Sequence, residues 1–304
     1  DSSSRLARAP SSCAIPLRPS WITLYDVRVP PMKRRALGCL GLLLALYAAY
    51  CLVLYRAQGL LFFPGAGRVT VDAAPAGTHE LRITHPDGVL TDVWFHPPDA
   101  AIHGPGPYPL VVVLHGNGDR IDRGAAGTFE WLNRLGFAVA LPEYRGYGRS
   151  GGEPSEVAVT ADLVRIVNQL AARPEVDAHR VVYFGTSLGT CFAGQLAARR
   201  APSALILRTP FLRTDMMALR HFAPPFLVTN PFRNDLALAG FRAPTLILQH
   251  TRDDVAPPED AVALAELLPQ AQLLAVDARH NDPDDPRERE REYGAIEAFL
   301  AQHR

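Results

Sequence analysis

From residue 36 to 55 the chain reads ALGCLGLLLALYAAYCLVLY, with no charge and no polar stripe. At about 1.5 Å per helical residue this run matches the roughly 30 Å hydrocarbon core of a bilayer, and it predicts one membrane-spanning helix. A helix buried in a globular domain would normally keep a polar stripe. Beyond it, LLFFP at 60–64 reads as an interfacial apron. Two strand candidates, 80–84 and 89–95, flank the turn signal Pro86-Asp87-Gly88 and predict a hairpin. Short continuous apolar runs follow at 110–114, 138–141, 181–184, 204–207, 245–248 and 273–276, which read as strands buried on both faces. Between and after them, helical periodicity appears at 128–135, 156–172, 188–198, 261–267 and 288–302. In the second of these Val159, Leu163, Ile166, Val167 and Leu170 share one face. Strands alternating with helices predict an α/β fold with a mostly parallel sheet covered on both sides. The segment 211–241, rich in Pro, Phe and Met, interrupts the alternation and is long enough for a small lid.

The flanks of the apolar run orient it. Lys33, Arg34 and Arg35 precede it and only Arg56 follows closely, so the positive-inside bias puts the N-terminus in the cytoplasm and the rest across the membrane. A cleaved signal peptide is the competing reading, but its apolar core is usually about 7–15 residues and ends in a small-x-small site, which is missing here. Residues 1–31 are rich in Ser, Arg and Pro without periodicity, and the first methionine is Met32. The expectation is a disordered extension at 1–31, non-native if translation begins at Met32 (which the intact mass of the natural protein tests), then an anchor at 32–56 and one catalytic domain at 57–304.

Composition narrows the classes. A chain of 304 residues with 48% hydrophobic content fills a sizeable core. Lys plus Arg equals Asp plus Glu at 31 each, so no net field favours nucleic acid. The cysteines, Cys13, Cys39, Cys51 and Cys191, lack CxxC spacing and predict neither a zinc site nor a disulfide framework. Cys191 lies one turn after Ser187 but reads as a small core residue.

The strongest chemical signal is Gly185-Thr186-Ser187-Leu188-Gly189, set between the 181–184 strand and a helix. This is the pattern of a nucleophile elbow, a strained turn that exposes the serine hydroxyl at the carboxyl end of a sheet. A serine needs a base, and the base an orienting acid. The loop Thr251-Arg252-Asp253-Asp254 after one strand supplies carboxylates, and Ala278-Arg279-His280-Asn281-Asp282 after the next supplies a histidine. The 110–114 strand runs into His115-Gly116-Asn117-Gly118, a glycine-rich loop whose amide at Asn117 would pair with that of Leu188 to hold an oxyanion. Asp277 and Asp282 read as exposed or loop-capping, His115 and His250 as structural, and Glu143, Tyr144 and Arg145 as scaffolding for the oxyanion loop.

With HGNG at 115–118, PEYRGYGRSGG at 142–152, GTSLG at 185–189, TPF at 209–211, TRDDVAP at 251–257 and RHND at 279–282, the chain from about residue 60 resembles the α/β-hydrolase superfamily. Within it, the resemblance is to compact membrane-anchored serine hydrolases related to serine aminopeptidase-like and acylglycerol or thioester hydrolases. The resemblance implies Ser187 as nucleophile, Asp253 rather than Asp254 as the acid, His280 as base, and Asn117 and Leu188 as oxyanion donors. Two positions depart from the pattern: Gln249-His250 stands where His-Gly is common, and Arg279 where Gly often precedes the histidine.

The functional expectation is an acyl-enzyme hydrolase of an ester, thioester or amide, with a carboxylic ester or lipid-like acyl substrate placed first. No metal or organic cofactor is implied. The rivals are an aminopeptidase or amidase using the same residues, and a non-catalytic membrane-anchored binding protein.

Overall fold

A computed structural model of the chain describes residues 31–67 and 71–303, so the expectation for residues 1–30, Cys13 included, falls outside the described residues. The chain divides into two compact units, Asp1–Tyr50 and Cys51–Arg304. In the first, the described residues are the opening turns of helix α1, Pro31–Phe62, whose side chains from 37 to 50 are exposed. The apolar stretch Arg35–Phe62 has 28 residues, against about 20 that a bilayer span needs. The helix is therefore longer than the run 36–55 alone implies. Its turns from Cys51 onward belong to the second unit.

Among the described residues eight strands build one sheet in the second unit: β1 His79–Thr84, β2 Leu90–His96, β3 Tyr108–Leu114, β4 Ala138–Pro142, β5 Val176–Thr186, β6 Ala204–Arg208, β7 Thr245–His250 and β8 Ala271–Val276. Their order is β1-β2-β4-β3-β5-β6-β7-β8. β1 with β2 and β2 with β4 are antiparallel, and every other pair is parallel. All eight strands coincide with runs expected from the sequence. The helices of this unit are α2 Ala100–His103, α3 Ala125–Arg134, α4 Glu156–Ala171, α5 Leu188–Arg199, α6 Asn234–Ala237, α7 Pro258–Leu267 and α8 Pro286–Gln302.

Alternation along β3 divides the core. Leu110, Val112 and Leu114 pack with Val159, Leu163 and Leu170 of α4, Phe192 and Leu196 of α5, and Leu264 of α7. Val111 points to the other face, with Phe129 and Leu132 of α3 and Ile296, Phe299 and Leu300 of α8. The central strands β3 and β5 bury both faces, which is why they read as unbroken apolar runs. β8 differs: as the edge strand it leaves Leu273 41% exposed, so the expectation of burial on both faces fails there. The apron also needs correction. Phe63 is 2% exposed and stacks on Phe192, so the chain leaving α1 enters the core. The lid expected at 211–241 is a chain of short turns, with 3₁₀ segments at Asp215–His221 and Pro225–Leu227 and then α6.

Candidate active site

β5 passes into α5 through the elbow, and Ser187 takes φ 53° and ψ −121°. A positive φ at a residue with a β-carbon costs on the order of 1–3 kcal/mol, so the surroundings must hold it. The Ser187 amide donates to the Arg208 carbonyl of β6 at 2.9 Å, and its own carbonyl accepts from the Thr190 amide and hydroxyl at 2.9 and 2.6 Å. A β-carbon at 185 would stand 2.5 Å from the Gly189 carbonyl oxygen, and one at 189 would stand 2.0 Å from that of Leu114. Both positions therefore require glycine, 185 because the turn doubles back on itself and 189 because it is pressed against the end of β3.

The loops after β7 and β8 bring the acid and the histidine to this serine. Ser187 Oγ lies 2.7 Å from His280 Nε2, and His280 Nδ1 lies 2.8 Å from Asp253 Oδ2. An ionised carboxylate only accepts, so Nδ1 of the neutral ring carries the proton and Nε2 is left to accept from the Ser187 hydroxyl. The other carboxylate oxygen, Oδ1, accepts from the amides of Val255 and Ala256 at 2.8 and 2.9 Å. The Asp253 side chain is 2% exposed and that of His280 16%. Asp254 is exposed, Asp277 pairs with Arg252, and Asp282 pairs with Arg208 at 2.7 Å, so of the neighbouring carboxylates only Asp253 meets the ring.

The loop after β3 is pinned from several sides. Tyr144 donates to the His115 carbonyl and Tyr147 to the Asn117 carbonyl, both at 2.8 Å. The His115 ring meets Glu143 at 2.9 Å. Burial works against charge on His115, but the hydrogen bond and charge of Glu143 outweigh it and lift its pKa above the usual range. Glu143 and Tyr144 thus have the scaffolding place expected of them. Arg145 does not: it pairs with Asp162 and Asp87, away from this loop. Among the described residues no protein acceptor is placed for the amides of Asn117 or Leu188, and both residues line the same cavity as Ser187. Leu188 also opens α5, whose amino-terminal dipole favours negative charge there.

Behind His280 lies a buried network that sequence reasoning missed. His250 Nδ1 donates to the Arg279 carbonyl at 2.5 Å, and its Nε2 lies 3.2 Å from Glu292. Glu292 also accepts from Arg208 at 2.6 Å, and its side chain is fully buried. The two departures from the family pattern, at His250 and Arg279, therefore touch each other and tie the acid and histidine loops together. A signal for Glu292 was present, since it shares a helical face with Ile296, Phe299 and Leu300. Cys191 is buried in the core and burial pushes its thiol well up, which leaves it inert as a nucleophile. Among the described residues no group of three His, Cys, Asp or Glu is arranged to hold a metal.

A cavity of about 230 Å³ opens on Ser187. The lid contributes Phe211, Met217, Leu227 and others, and residues from 51 to 62 of α1 contribute Cys51, Leu54 and Phe62. Among the described residues no Asp, Glu, Lys or Arg lines it.

Comparison with known proteins agrees with this architecture. Residues 106–238 match the family model described as serine aminopeptidase, S33. The uncharacterized protein Rv2307c of Mycobacterium tuberculosis is 33% identical over 238 residues, covering 74% of this chain and 80% of that protein. The rat (Rattus norvegicus) lysophosphatidylserine lipase ABHD12 is 31% identical over 172 residues, 49% of this chain and 43% of the lipase. Among solved structures, the Pyrococcus furiosus esterase Pf2001 superposes with a TM-score of 0.65 at 19% identity, covering 78% of this chain and 97% of the esterase, a likeness of fold. Strand order, the elbow at Ser187 and these similarities converge, and the chain belongs to the serine aminopeptidase S33 family of the α/β-hydrolase superfamily.

Proposed function

We propose that the protein is a serine hydrolase of carboxylic esters with apolar acyl groups. The observation that carries this reading is the hydrogen-bonded line from Ser187 through His280 to Asp253, at 2.7 and 2.8 Å. Ser187 Oγ attacks the acyl carbon as its proton passes to His280 Nε2, and Asp253 holds the imidazolium that forms. The amides of Asn117 and Leu188 stabilise the oxyanion. Collapse breaks the bond to the leaving group, which takes the proton from His280. Water then attacks the acyl-enzyme, yields its proton to His280, and frees the acid as that proton returns to Ser187.

The cavity favours an ester over an aminoacyl substrate. An aminopeptidase must hold its substrate's ammonium, and burying that charge without a carboxylate is costly. Among the described residues the lining offers none. The lipase among the relatives and the esterase among the structural neighbours accord with the same choice. Purified full-length protein is expected to turn over p-nitrophenyl butyrate with kcat/KM about 100-fold or more above an aminoacyl p-nitroanilide of matched size. The reverse ranking would put the peptidase first, and folded protein inert to both would favour a binding role.

We further place the enzyme at a membrane through α1, as an uncleaved single-pass anchor with Lys33, Arg34 and Arg35 on the cytoplasmic side and the catalytic domain opposite. Protease added to vesicles with the cytoplasmic face outward should spare this domain until detergent is added. Digestion without detergent would contradict the topology.

A further inference from the structure

The cavity at Ser187 is not enclosed by the α/β domain's loops alone. One wall is the end of the long apolar helix, through Cys51, Leu54, Tyr55 and Phe62. Gln58 also lines it, and its amide is fully engaged. Its Oε1 accepts from the Thr229 amide at 2.8 Å and the Thr229 hydroxyl at 3.0 Å, and its Nε2 donates to the carbonyls of Leu227 at 3.2 Å and Tyr55 at 2.9 Å. One side chain thus joins α1 to the lid segment across the apolar cavity. A polar amide on such a wall is tolerated only because each of its groups has a partner. The helix fixes one side of the space and the lid the other, and the Gln58 bonds set the separation between them.

We infer that this space is the acyl-chain site, that it takes an extended apolar chain laid along the 51–62 turns of α1, and that Gln58 is a positioning residue that sets its width through Leu227 and Thr229. The inference rests on the serine-hydrolase reading and adds to it the part of the substrate that confers selectivity. An apolar chain follows from the lining, which is mostly apolar, with Leu54, Phe62, Met217 and Leu227 among its members, and which among the described residues includes no Asp, Glu, Lys or Arg. Each methylene placed there is taken out of water, so chain length is read as rate.

The test compares kcat/KM for p-nitrophenyl decanoate and p-nitrophenyl acetate, using the full chain in detergent. Leu54→Trp fills the wall and is expected to lower the decanoate-to-acetate ratio about tenfold or more. Gln58→Ala unpins the lid and is expected to lower the same ratio about fivefold, as the chain site loses its shape. Fluorophosphonate labelling of each variant reports a folded elbow independently of chain length. Should Leu54→Trp not fold, the half-buried Gln58 position still decides the matter. Labelled variants with the wild-type ratio would overturn the helix wall as the acyl site. Wild-type protein that does not label would instead count against the nucleophile at Ser187, a separate failure.

Discussion

His280→Ala is expected to lower kcat for ester hydrolysis by roughly 10⁴ to 10⁶, with little change in KM. Among the described residues the ring is the one group within hydrogen-bond reach of the Ser187 hydroxyl that can take its proton, at 2.7 Å, while the cavity proposed for the acyl group is lined by other residues. Asp253→Asn should cost about 10⁴, since an amide in place of the carboxylate no longer fixes the proton on Nδ1 and leaves the imidazolium uncompensated. Steady-state kinetics on both variants, alongside an unchanged melting curve, would check the roles. A loss under tenfold in His280→Ala would assign the base elsewhere.

Glu292→Ala is expected to destabilise the fold by about 3–5 kcal/mol, read from urea unfolding. Its carboxylate is fully buried between Arg208 and His250, and removing it leaves a guanidinium that is only 12% exposed with the more exposed Asp282 as its remaining carboxylate partner. Burial pushes the Glu292 pKa up, but the hydrogen bonds from His250 and Arg208 outweigh it and hold it below the usual carboxylate range. The sign follows: this contribution is complete above the unfolded-state pKa of about 4.3 and is lost as pH falls through the lower folded value. Glu292→Gln keeps the shape without the charge and should cost less than alanine. The alanine change also frees His250 from one side, and through it the Arg279 carbonyl beside His280.

Much of this architecture was legible in the residues because the physics that fixes it is local. A strand buried on both faces has no alternative to a continuous apolar run, so Val111 and Val112 announce β3 wherever they point. The elbow was legible because its glycines answer to backbone clashes within the turn and with β3, and the Ser, Asp, His order because each loop directly follows a strand. What escaped depended on partners far along the chain. Glu292 sits in the run PREREREY, where its helical face marks it as buried but its role appears only when His250 and Arg208 arrive from other elements. Arg145 was read by its neighbours in sequence, yet its partners are Asp87 and Asp162. Residues 51–55 of α1 were read as part of the membrane span because a residue lining an apolar cavity and one facing lipid have the same chemistry. Phe63 was misread for the same reason.

The central claim is that Ser187 is an activated nucleophile, and covalent capture by a fluorophosphonate probe tests it most directly. Intact-mass and peptide analysis of full-length protein should find one adduct per chain, on Ser187, absent in Ser187→Ala and greatly slowed in His280→Ala. Folded wild-type protein that takes no adduct, or takes it on another residue, would contradict the account.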